Sequence, residues 1–384
     1  MSKNDFTTEE FATRQRRVRT KMEEQGLDLL LVFNPVNIQY LIGSRAKSYQ
    51  EFQVLFFTLE AAPLTIMMRL AEVPELTDLS LAEDIRGWGG REPEDPVDVF
   101  TAIIREKNFL SRRVGLEVPE FYMHPYNYER IKEILGDALK SDASSLIHDL
   151  KLVKSAAELA YIRRASEIAD LAMQAGVDAV AEGVSEMEVA AEVYRTMYRN
   201  GSDSPASPMN FCSGERTCYS HGAPSERRLH DGDFMHIEYG AAYRRYCTTI
   251  GRQFCLGEPT ARMREVYQVV RDACDACIAE IRAGVPATHP HEAAKKVIAD
   301  AGMDQYRLHT TGYGIAPGYP PSWGEYIHLF ADSDYTLEAG MILSVEPPVF
   351  IHGEKLGARI IDNVLVTEAG AEILSDFTRD LVCI

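Results

Sequence analysis

The pattern of the chain changes near residue 150, and this change limits the possible folds more than any other feature. Before it, short apolar runs at 27–33, 54–58, 64–67 and 114–116 alternate with helix-period stretches. Strands that alternate with helices build an α/β layer. Thr7 and Glu10 stand three apart ahead of FATRQRRVRTKMEEQG, a capping-box pattern that predicts a first helix ending at Gly26. Another helix is expected around 126–139. After residue 156 the helices lengthen. Residues 158–181 are apolar at Leu159, Ile162, Ala165, Ile168, Ala169 and Ala172, which is one helical face. Ser185 and Glu188 repeat the capping box and open a helix over 187–199. A strand at 234–239, a helix over 262–283 and strands at 341–345 and 360–366 follow. Helices on one face of a curved, mainly antiparallel sheet fit this order. The 384 residues suit two domains, 1–150 and 151–384, each able to bury a core.

Charge and composition exclude several classes of function. The net charge is −18, which repels phosphate backbones and anionic lipid, so neither nucleic acid nor a membrane surface is an expected partner. The N-terminal MSKNDFTTEEF has no apolar segment of the kind a signal peptide carries. The longest apolar run, 27–33, is broken by Asp28 and falls far short of the ~18–20 residues that span a bilayer. A cytoplasmic protein is expected. Seven cysteines, scattered from Cys212 to Cys383, are not a disulfide framework. Cys274 and Cys277 form a CxxC within a helical pattern, and no second pair completes a zinc set, so helix packing is its expected role.

Four segments of the second half place acid–base residues in apolar surroundings. They hold His221; Glu238; His309, Tyr313, Trp323 and Glu325; and Glu346 with Arg359 and Asp362. A carboxylate at the end of an apolar strand is costly unless it is paired, hydrogen-bonded or functional. The residues alone leave strand-end ion pairs and a catalytic site both open.

Five ordered motifs carry a resemblance. G-D-(x4)-E-x-G runs through Asp233 and Glu238, and Y-(x5)-R-x-F through Tyr246 and Arg252. H-x-x-G-Y-G follows at His309, S-x-E-P at Glu346, and R-x-x-D-N-x-L-V-T-E-x-G from Arg359. With LVKSAAEL at 152–159, they make the chain similar to the "pita-bread" hydrolases, which include methionine aminopeptidases, prolidases and creatinases. The resemblance implies an α+β protein, with a creatinase-like N-terminal α/β domain and a C-terminal pita-bread domain. The metalloenzymes of that family hold two ions through two Asp, one His and two Glu. Those positions fall here on Glu238, Thr249, Tyr313, Glu346 and Ile361. Only two keep a metal-binding side chain, and two carboxylates cannot by themselves fix a dinuclear centre. This implies no metal and no cofactor.

Resemblance to creatinase and ectoine hydrolase then implies a metal-independent hydrolase that cleaves a C–N bond of a small zwitterionic or cationic nitrogen compound. His221 stands twelve residues before Asp233, where creatinase has its proton-shuttling histidine. Glu238, Glu346 and Tyr313 complete the expected catalytic set. Tyr49, Glu51, Arg45, His309, Trp323, Glu325, Arg359 and Asp362 are expected at the substrate. Tyr49 and Glu51 would reach across a homodimer into the partner's site. Three alternatives remain: an Xaa-Pro dipeptidase-like metallopeptidase with altered ligands, a C–S or C–N lyase, and a non-catalytic interaction module.

Overall fold

In the computed structural model, which describes residues 2–384, the chain divides into two units, Met1–Lys151 and Leu152–Ile384. The first is built on a six-stranded mixed sheet of β1 (Leu29–Val32), β2 (Val54–Thr58), β3 (Thr65–Arg69), β4 (Asp84–Trp88), β5 (Val114–Leu116) and β6 (Leu139–Asp142), ordered β4-β3-β2-β1-β5-β6. Gly26, at φ +67°, turns the chain out of the helix Thr8–Glu24 and into β1. Both faces of β1 are covered, which is why residues 27–33 are almost continuously apolar. Leu30 and Val32 pack with Val18, Met22 and Leu146 on one side. Leu29, Leu31 and Phe33 pack with Phe100, Ile104 and Ile131 on the other. The helix expected over 126–139 is shorter, Pro125–Leu135, because Gly136 adopts a positive φ of 46° and the chain re-enters the sheet as β6.

The second unit carries a nine-stranded sheet. Its path is β16-β15-β12-β10-β9-β8-β7, with β11 pairing β10 and β17 pairing β9. These strands are β7 (Asn210–Ser213), β8 (Phe234–Tyr243), β9 (Tyr246–Cys255), β10 (Tyr313–Tyr319), β11 (Ser322–His328), β12 (Ile342–Val345), β15 (Asp362–Val366), β16 (Ala371–Ile373) and β17 (Val382–Cys383). A separate ribbon pairs β13 (Val349–Ile351) with β14 (Leu356–Ala358). The expected capping box forms as a reciprocal pair, Ser185 with Glu188, and Ser155 with Glu158 forms another. Cys274 and Cys277 are buried in the core on helix Ala261–Glu280.

Strand alternation decides where chemistry can occur. On β8, Met235, Ile237 and Tyr239 belong to the core that includes Ile168, Ala172 and Val189 of the two long helices. The Tyr239 hydroxyl donates to the Ala169 carbonyl at 2.7 Å, which fixes that face. His236, Glu238 and Gly240 therefore face the opposite way. The register pairs Glu238 with Gly251 and Gly240 with Thr249, so the odd residues of β9 share their face.

Candidate active site

The face of β8 and β9 away from the long helices carries a small polar cavity of about 160 Å³, lined by Ser207, Asn210, His221, Glu238, His309, Tyr313, Pro321, Ser322, Trp323 and Arg359. At its floor the guanidinium of Arg359 bridges two buried carboxylates. Nη1 donates to Glu238 Oε2 at 2.6 Å and Nη2 to Glu346 Oε2 at 2.5 Å. Relative exposures of 1%, 6% and 0% for Arg359, Glu238 and Glu346 place all three out of water. Burial opposes the charge on Arg359, but Glu238 and Glu346 outweigh it and raise its pKa. Glu346 is further held by the Ser344 hydroxyl at 2.9 Å.

The His221 ring meets His309 edge-on, with centroids 5.0 Å apart. His309 Nδ1 lies 3.8 Å from Glu346. Burial, reinforced by the charge of Arg359, pushes the His309 pKa down to about 4, so its imidazole is neutral near pH 7. The Trp323 indole donates to the Tyr313 hydroxyl oxygen at 3.1 Å, which leaves the phenolic proton for another acceptor. Burial and the nearby Glu346 raise the Tyr313 pKa well above its ordinary value. Gly240 allows this wall to close, since a Cβ there would meet the Trp323 ring at 2.7 Å.

The loop that presents His221 is anchored from below. Buried Glu186 accepts from the amides of Ser213 and Ser225, each at 2.9 Å, and pairs with Arg216. Arg227 clamps Asp233 through both guanidinium ends, at 2.5 and 2.8 Å. The Ser220 carbonyl accepts from Arg359 at 3.1 Å, tying the loop to the floor.

Three expected substrate contacts, Arg359, Asp362 and Glu325, need correction. Arg359 is not free to meet a substrate carboxylate, because both terminal nitrogens serve Glu238 and Glu346. Asp362 points away from the cavity, where Arg252 Nη2 at 2.8 Å and Arg379 Nε at 2.6 Å hold its two oxygens. Glu325 lies on the buried alternation of β11 and pairs with Lys154 at 2.5 Å. Arg45, Tyr49 and Glu51 belong to the first unit. There Arg45 pairs with Asp5 at 3.1 Å, Glu51 lies 3.8 Å from Arg69, and Tyr49 packs edge-on to Tyr122. Sequence reading missed Asn210, Ser207 and Ser322 on the cavity wall. Only strand pairing, Asn210 opposite Glu238, brings the first of these in. It also gave His236 no role, although a position two before Glu238 places it on the same face. His236 is fully buried, and burial pushes its pKa down to about 3.

The fold and the cavity define a pita-bread unit joined to a creatinase-type N-terminal unit. The sequence matches metallopeptidase family M24 over residues 160–368 and the creatinase/prolidase N-terminal domain over 14–153, and the chain belongs to family M24. An Xaa-Pro dipeptidase of Pyrococcus furiosus is 29% identical over 364 residues, spanning 94% of this chain and 97% of that protein. Among solved structures, an Xaa-Pro dipeptidase from Bacillus anthracis superposes with a TM-score of 0.84 at 26% identity, covering 97% of this chain and 100% of its own. The dipeptidase PepE of Mycobacterium ulcerans gives 0.85 at 26%, covering 99% of each.

These findings overturn the expectation of a metal-independent hydrolase of a non-peptide nitrogen compound. The family is one of metallopeptidases, and these named relatives are dipeptidases. The residues of this chain nevertheless do not fit a two-ion centre as built. Thr249 is engaged by Asn363 through both its amide and its hydroxyl, at 2.6 and 2.8 Å. Ile361 packs into the space left by Gly251, whose Cβ would lie 2.7 Å from it. A guanidinium already spans Glu238 and Glu346. Among the described residues no group of three or more His, Cys, Asp or Glu could hold a metal ion. No helix among them is long and apolar enough to cross a membrane.

Proposed function

We propose that this chain hydrolyses the amide C–N bond of short peptides of the Xaa-Pro dipeptide class. The observation that carries the reading is the small cavity in which two imidazoles, a phenol, Glu238 and Arg359 meet, in a chain similar over nearly its whole length to Xaa-Pro dipeptidases. A cavity of about 160 Å³ suits a compact ligand rather than a long peptide.

Hydrolysis adds water across the bond. The water oxygen joins the carbonyl carbon, the C–N bond breaks, and one water proton ends on the leaving nitrogen. His221, at the mouth of the cavity, is assigned the proton transfer, since an imidazole can both accept and return a proton. Tyr313 is assigned as the donor to the developing oxyanion, its raised pKa keeping the phenol protonated. Glu238 orients the substrate and water, held by Arg359, which Glu346 fixes from behind, with His309 and Trp323 as walls. We assign Tyr49, Glu51 and Arg45 to the neighbouring site of a cytoplasmic homodimer.

The test is a panel of Xaa-Pro and non-proline dipeptides, incubated with the purified chain after chelation and again with added manganese or cobalt. Release of free proline in either arm, with non-proline dipeptides slower, is expected. No cleavage of any dipeptide in any arm overturns the reading.

A further inference from the structure

We infer that Arg359 is a built-in cation that competes with external divalent ions for the Glu238–Glu346 pair. The two carboxylates reach one guanidinium through oxygens 2.6 and 2.5 Å from its two terminal nitrogens. Two acids this close cannot both be ionised out of water without positive charge between them. In this chain the charge is covalently attached. It cannot be dialysed away, and an arginine keeps its proton at any ordinary pH.

The surroundings hold the guanidinium in place. Ser220 O accepts from Nη1 at 3.1 Å, and both His309 ring nitrogens lie 3.3–3.4 Å from Nη2. Arg359 follows directly on β14 and stands three residues before β15, and its amide donates to Gln253 Oε1 at 3.1 Å. The backbone that carries the guanidinium is thus fixed. An ion entering between Glu238 and Glu346 would have to displace two short, charge-assisted hydrogen bonds and then sit beside a like charge.

The same geometry shows what Arg359 conceals. With the guanidinium removed, Glu238 and Glu346 would be left as two buried carboxylates without the cation that balances them, open to an external one. The inference concerns occupancy of the carboxylate pair and stands apart from peptide hydrolysis.

The probe is Mn2+ alone, titrated calorimetrically into the full-length, chelator-treated chain. Arg359→Ala is expected to bind one ion at least ~100-fold more tightly than the wild type, the scale of the two charged hydrogen bonds no longer to be displaced. Adding Glu346→Gln to Arg359→Ala is expected to abolish that binding. Equal affinity and stoichiometry in wild type and Arg359→Ala overturn the inference, and so does tight binding that survives Glu346→Gln. Should Arg359→Ala not fold, Arg359→Lys decides. A single ammonium cannot bridge both acids in the guanidinium's fork geometry, so an Mn2+ affinity at least ~10-fold above wild type is expected. An affinity equal to wild type overturns the inference.

Discussion

Lys154→Met should destabilise the second unit more than loss of a surface charge would. Lys154 and Glu325 form an ion pair at 2.5 Å with side-chain exposures of 0% and 1%, and the ammonium also donates to the Leu152 carbonyl at 3.0 Å. An exposed pair contributes ~0–1 kcal/mol. A buried pair that loses one partner leaves a charge out of water, at a cost of about 3–5 kcal/mol. For a unit of this size each kcal/mol lowers Tm by about 2–4 °C, so a drop on the order of 10 °C is expected at pH 7.5. The drop should shrink towards pH 5, because an unpaired buried carboxyl takes up a proton. Adding Glu325→Leu removes the stranded charge and should recover most of the loss, since an apolar pair of similar volume replaces such a bridge at little net cost. The assay is differential scanning calorimetry of the two single variants and the double, read as a mutant cycle. A Lys154→Met loss below ~1 kcal/mol, or a double variant no better than Lys154→Met alone, would refute the assignment of Glu325 to a structural ion pair.

Two further outcomes are expected. His221→Ala, folded as judged by circular dichroism, should lower dipeptide turnover by at least ~100-fold, the usual scale for a lost proton-transfer group, and near-normal rates would remove His221 from its role. Glu117 is buried in the first unit, and burial outweighs the N–H donors of Asn34, Asn37 and Phe33 to raise its pKa from 4.5 to about 7. The folded chain keeps this proton where the unfolded chain has lost it, so the contribution is complete below about pH 4.5 and is lost as pH rises to 7. At ~1.4 kcal/mol per tenfold change in proton affinity, it amounts to about 3 kcal/mol. Glu117→Gln should flatten the fall in Tm across that window, and an unchanged slope would show that another group sets it.

Much of the architecture was legible because it rests on local rules. The capping pair at Ser185, the 3.6-residue periodicity of the helix Ala156–Ala179, and the apolar run behind β1 each depend on neighbours in sequence. The ordered motifs around Asp233, Glu238, His309, Glu346 and Arg359 identified the family; all but Glu238, which sits within β8, lie outside or at the ends of its strands. Where each acid points was not legible. Glu325, Asp362 and Glu346 look alike as strand carboxylates. Only packing assigns the first to Lys154, the second to Arg252 and Arg379, and the third to Arg359 at the cavity floor. These partners are separated from their acids by as few as 13 and as many as 171 residues. Propensity and period act over a few residues, whereas a buried charge is satisfied by whatever cation the folded sheet brings within reach.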